Sequence, residues 1–99
     1  MNSSKHSWEL ILGSEIVGKI VSVGFEFPWT LGMLIDSPEF ERFRVYFSDE
    51  DEWPETEEFD AMVDEIRSRG GFQLRNLSSG EQRKSFRLNQ KGDNVWFRF

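Results

Sequence analysis

Between Val21 and Ile35 the chain reads VSVGFEFPWTLGMLI, and every odd position is apolar: Val21, Val23, Phe25, Phe27, Trp29, Leu31, Met33 and Ile35. The even positions, Ser22, Gly24, Glu26, Pro28, Thr30, Gly32 and Leu34, are mostly small or polar. Side chains in a strand alternate between faces, so the pattern predicts strands whose odd-numbered face is buried and floors a single core. Pro28 lacks the amide hydrogen that a ladder needs, which divides the stretch into two strands joined through Phe27-Pro28-Trp29. In this reading Pro28 and Trp29 serve structure.

Upstream, Trp8–Leu12 reads as a strand, and Gly13-Ser14 has the glycine-first form of a two-residue hairpin loop. That register sets Ile11 opposite Ile16 and Leu10 opposite Val17. The second strand continues through Ile20 and Val21 toward Phe25. Gly18 and Gly24 weaken a strand interior and mark candidate bulges.

Downstream, Asp36-Ser37-Pro38-Glu39 has the chemistry of a helix start: Ser or Asp as N-cap, Pro at the first helical position, Glu near the positive end of the dipole. Phe40, Phe43 and Phe47 then share one helical face, which favours a helix over Pro38–Phe47. The rival is a strand, because Phe43, Val45 and Phe47 also alternate. Thr56 is the N-cap of a second helix, in which Phe59, Met62, Val63 and Ile66 recur at i, i+3, i+4, i+7 and Gly70-Gly71 supplies the stop. Phe72–Leu77 alternates as a strand, and 78–81 is a turn. A closing hairpin around Gly92-Asp93 sets Phe86 against Phe99, Leu88 against Phe97 and Gln90 against Val95. Its other face sets Arg87 across from Arg98 and Asn89 across from Trp96.

The elements add up to a single α+β domain over 1–99, in the order β-β-β-α-α-β-β-β. The predicted architecture is an antiparallel sheet with two helices packed on one face. Phe59, Met62, Val63 and Ile66 are expected to cover Phe86, Leu88, Phe97 and Phe99. Residues 1–6 are polar and expected to fray.

Composition narrows the chemistry. Ten Phe and four Trp supply a core without staples, and the absence of Cys excludes disulfides, thiolate metal sites and cysteine nucleophiles. A cysteine-free chain without a signal-peptide pattern, or an apolar run of the ~20 residues that span a membrane, is expected in the cytoplasm. The net charge of −6 argues against a nucleic-acid partner. The charge is also divided: residues 1–60 carry four basic and fourteen acidic side chains, a balance of −10, and residues 61–99 carry eight basic and four acidic, a balance of +4.

Four blocks carry a resemblance: Phe25-Glu26-Phe27-Pro28-Trp29, then Ser37 to Phe47, then Gly71-Phe72-Gln73-Leu74, then Gly92 to Arg98. The chain resembles a group of small uncharacterised bacterial proteins with an F-x-F-P-W block, a P-x-F-x-x-(V/F)-R block and a C-terminal G-D-x-x-W-F-R block. The group has no established activity. The resemblance implies an order of elements, supports the helical reading of Pro38–Phe47, and transfers no catalytic residues.

Catalytic patterns are sparse. His6 is the only histidine and lies in the polar tail, so no base stands beside a serine, and no G-x-S-x-G, S-x-x-K or phosphate-binding glycine pattern occurs. No cofactor and no metal is called for. Asp49–Asp60 holds eight carboxylates in twelve positions around Trp53-Pro54. The run Asp49-Glu50-Asp51-Glu52 reads as a solvated loop, as a weak calcium or magnesium site lacking EF-hand spacing, or as a partner-binding loop anchored by Trp53. The second candidate is the open sheet face, where Arg75 is expected to join Arg87, Arg98 and Trp96.

The expected function is non-catalytic binding of another protein. Glu50, Asp51, Glu52 and Trp53 form one surface and Arg75, Arg87, Trp96 and Arg98 another. An inhibitor or immunity-like protein that blocks a basic site is one form of it. The alternative is a small anionic ligand, or an enzyme site, on the arginine face. Weak self-association through the two charged surfaces is a further expectation, unless they lie adjacent in one molecule and neutralise each other.

Overall fold

The computed structural model describes residues 7–99; the expected frayed segment 1–6, with His6, lies outside the described residues. The elements are β1 (Ser7–Leu12), β2 (Glu15–Glu26), β3 (Trp29–Leu34), α1 (Phe40–Phe43), α2 (Glu57–Ser68), β4 (Phe72–Asn76), β5 (Gln82–Arg83), β6 (Arg87–Lys91) and β7 (Asn94–Arg98). The strands form one antiparallel sheet in the order β5-β4-β1-β2-β3-β7-β6. The two-residue β5 was not expected from the sequence; it pairs through Leu74 with Arg83 and Arg75 with Gln82.

The sheet is strongly curled. The rings of Trp8 on β1 and Phe97 on β7 lie 5.1 Å apart, edge to face, although β2 and β3 separate those strands in the sheet. The inner face carries Leu10, Leu12, Val17, Ile20, Leu74, Leu88, Val95 and Phe97, which share one buried cluster with Phe40, Phe43, Phe47 and Ile66. Full burial of each such side chain stabilises by roughly 1.5–3 kcal/mol.

The face assignment of Val21–Ile35 is opposite to the sequence expectation. Val23, Phe25, Phe27, Met33 and Ile35 are exposed, and the core side of β3 carries the even positions Gly32 and Leu34. Two causes are visible. A bulge between Ser22 and Gly24 leaves Val23 without a partner on β3, so the odd positions of β2 do not stay on one face. Gly32 is also a core position disguised as a polar one. A Cβ there would stand 2.6 Å from Ile20 Cγ2 and 3.5 Å from Val95 Cγ2, so only glycine lets these side chains close over the strand.

The first hairpin is as expected at Ile11 and Ile16, but Leu10 pairs with Gly18, not with Val17. The bulge beside Gly18 takes up one residue, and both Leu10 and Val17 remain buried. A Cβ on Gly18 would lie 3.7 Å from Phe40 Cδ1, which marks how closely α1 approaches β2.

The helix expected over Pro38–Phe47 starts later and is divided: Pro38 and Glu39 form a turn, and α1, from Phe40 to Phe43, gives way to a 3-10 turn over Arg44–Phe47. Phe40, Phe43 and Phe47 are all buried. The expected side-chain cap is absent. Ser37 Oγ instead accepts from Lys19 N at 2.8 Å and donates to Ile35 O at 2.8 Å, tying the chain to β2.

In α2, Thr56 Oγ1 accepts from Phe59 N at 3.1 Å, as an N-cap does. Gly71 N bonds Ile66 O at 2.9 Å to close the helix end. Phe59 and Ile66 are buried, while Met62 and Val63 are half-buried. Phe99, expected in the core, is 48% exposed, because the last strand ends at Arg98.

Candidate functional site

A groove of about 560 Å³ lies between the acidic turn and β6. One wall is built by Tyr46 to Glu50 and Trp53, the other by Lys84 and Phe86 to Asn89, with Phe72 and Gly70-Gly71 between them and Trp29 also lining it.

The acidic wall is held by local bonds. Ser48 turns the chain by bonding Val45 O through both its N, at 3.1 Å, and its Oγ, at 2.6 Å. Glu52 N to Asp49 O (2.8 Å) and Trp53 N to Glu50 O (3.1 Å) then close a 3-10 turn over Glu50–Glu52. Trp53 fastens this turn by stacking on Tyr46 at 5.5 Å and meeting Phe59 at 5.2 Å. Tyr46 in turn contacts Phe72 at 5.5 Å. Gly70 and Gly71 have φ of 90° and 78° with open space where a Cβ would be, so the groove has bare backbone there.

Arg44 braces the two walls. Its Nη1 donates to Gln90 Oε1 at 2.5 Å and to Gly92 O at 2.6 Å, and its Nε donates to Glu41 at 3.0 Å. The Arg44–Glu41 hydrogen bond raises the arginine's pKa and lowers the carboxyl's.

The charges along the groove differ from this. Asp49 and Glu50 stand on one wall, Lys84 and Arg87 on the other. Among the described residues, none of the four enters an ion pair. Other charged groups are consumed internally. Arg69 links Glu65, Glu15 and Leu12 O, and Arg42 also donates to Glu65.

The residues singled out from sequence divide into three sets. Glu50, Trp53 and Arg87 line the groove, and Asp51 and Glu52 continue the same turn as exposed side chains. Trp96 and Arg98 sit on the outer sheet face, with Asn89 and Arg87 opposite them in the expected register. The Arg98 guanidinium lies 5.5 Å over the Trp29 ring. Arg75 is not part of that group. It is on β4, with three strands between it and β7, and its Nη2 donates to Glu9 at 2.8 Å. The three-arginine face is therefore not assembled. The acidic turn and Arg87 are two walls of one groove, not two separate surfaces.

Sequence reasoning missed Tyr46, Phe72, Lys84 and Asn89, which come from three segments that only the curl of the sheet brings together. The β2–β3 join at Phe27-Pro28 is where the sequence placed it, but Phe27, expected on the buried face, sits in a two-residue turn and is 87% exposed. An aromatic in a turn was the available signal, since turns ordinarily take Gly, Asn, Asp or Ser. Among the described residues no three His, Asp or Glu side chains converge as metal ligands would, and no helix is long and apolar enough to cross a membrane. No family model, curated protein or solved structure matches this chain.

Proposed function

We propose that this chain is a non-catalytic protein-binding module that receives a partner segment in the groove between the acidic turn and β6. The observation that carries the reading is an aromatic floor of Tyr46, Trp53 and Phe72 flanked by unpaired charges of both signs. Aromatic and arginine side chains dominate binding energy at protein interfaces, and unpaired charges around them steer and orient the partner. An inhibitor or immunity-like role, with Glu50, Asp51 and Glu52 presented to a basic site, is the form in which the acidic turn contributes most. The cysteine-free composition suits work in a reducing compartment such as the cytoplasm.

The reading takes both helices to back one face of the sheet. Its support is that Phe40, Phe43, Phe47 and Ile66 share a buried cluster with the inner sheet residues. A small anionic ligand on the arginine face has less support, since Arg75 is engaged by Glu9 and Arg98 by Trp29.

Photo-crosslinking tests the proposal. A benzophenone side chain at Asn89 in the groove should capture a protein partner in cells, and the same group at exposed Asp64 on α2 should not. Capture should be lost in Arg87→Glu. Equal capture from both positions, or capture indifferent to Arg87→Glu, would contradict the reading.

A further inference from the structure

We infer that the groove's occupant is the β2–β3 tip of a second copy of this chain, in a two-fold exchange. The inference rests on the binding reading of the groove and names its partner.

The tip has the chemistry of something meant to be covered. Val23, Phe25 and Phe27 are 57%, 64% and 87% exposed, and the two Phe rings meet edge to face at 6.3 Å. Contiguous exposed apolar side chains on a soluble surface mark contact sites. The groove offers half-buried Tyr46 and Trp53 to the rings, and its cationic wall, Lys84 and Arg87 across from Asp49 and Glu50, to Glu26, which adjoins Phe27. Among the described residues Glu26, like the two cations, enters no ion pair.

The geometry lets a second copy supply the occupant. Trp29, which pairs with Glu26 in the hairpin, itself lines the groove. Tip and groove are therefore neighbours on one molecule. A two-fold axis that carries one tip into the partner's groove carries the partner's tip into the first groove, and the interface closes on itself. Each Phe carries about 150–250 Å² of contact area. Phe25 and Phe27 are partly covered already, at 64% and 87% exposed, so four rings bring less than the roughly 1,200 Å² at which stable interfaces begin. The dimer should accordingly dissociate on dilution.

Sedimentation of the full chain over a dilution series tests this. The wild type should pass from monomer to dimer. Phe27→Ser should weaken the dimer at least about tenfold, the loss expected for an interface anchor. Arg87→Glu should weaken it too, and Glu26→Arg combined with Arg87→Glu should restore it. Because the chain has no Cys, mixing the single variants Phe27→Cys and Asn89→Cys under oxidising conditions should give a mixed disulfide dimer. Phe27→Cys mixed with Asp64→Cys should give none. A wild type monomeric at every concentration, or a dimer indifferent to Phe27→Ser, would overturn the inference. So would a tip that binds anionic lipid vesicles in place of a second copy. If the wild type is monomeric while position 89 still captures a partner in an Arg87-dependent way, self-docking falls and the groove reading stands. If capture fails as well, both fall.

Discussion

Along β2, Val17 and Ile20 are almost completely buried, whereas Val23 and Phe25 on the same strand are more than half exposed. The two halves are equally apolar in sequence. They differ in their neighbours. The proximal half pairs with β1 from Glu15 to Val21, meets β3 only from Ile20 onward, and lies under the phenylalanines of α1. Beyond Val21 the strand keeps only β3 among the described residues. Apolar character alone therefore does not place a side chain in the core; the topology decides which half of the strand this chain covers.

The largest expected effect lies in the proximal half. Ile20→Ala should destabilise by about 2–5 kcal/mol, the range for large-to-small changes in a packed core, as read by urea unfolding. An unchanged midpoint would mean that the two halves do not differ.

Gly32→Ala is next. Its Cβ would collide with Ile20 Cγ2 and stand 3.0 Å from Val21 O, and overpacking of this kind costs about 1–3 kcal/mol. The penalty should shrink in an Ile20→Ala background, because that clash is removed; additive effects would argue against a direct collision.

Thr56→Ala should cost about 1 kcal/mol by removing the N-cap of α2. Away from the sheet, the Arg42–Glu65 hydrogen bonds hold the Glu65 carboxyl below its ordinary 4.5. A depressed carboxyl contributes stability that is present above its unfolded pKa and lost as pH falls through its folded value. Glu65→Gln should therefore narrow the gap between neutral and acid stability, with its effect seen above pH 4.5 and fading below it. A variant as acid-sensitive as the wild type would remove that contribution.

The parts of the fold legible from sequence were those fixed locally. Thr56, Gly70-Gly71 and the spacing of Phe59 and Ile66 define α2 with short-range chemistry, and the Gly92-Asp93 loop sets the whole register of β6 on β7. The faces of Val21–Ile35 were not legible, because a bulge and a core glycine both violate simple alternation. The candidate site follows the same division. Glu50, Trp53 and Arg87 stood out by charge and residue type, while Tyr46, Phe72 and Lys84 join them only through the long-range curl that brings β4, β6 and the acidic turn together. Arg75 was misplaced for the same reason: alternation gives a side chain's face but not the order of strands.

The smallest expected change tests the central claim most directly, namely that the distal half of β2 and its tip belong to the surface and not to the core. Phe25→Ser/Phe27→Ser should be unfolded by urea in dilute solution, where the chain is monomeric, beside Ile20→Ala. The expected result is a stability within about 0.5 kcal/mol of wild type, as for surface positions. A loss of about 2–5 kcal/mol, matching Ile20→Ala, would contradict it.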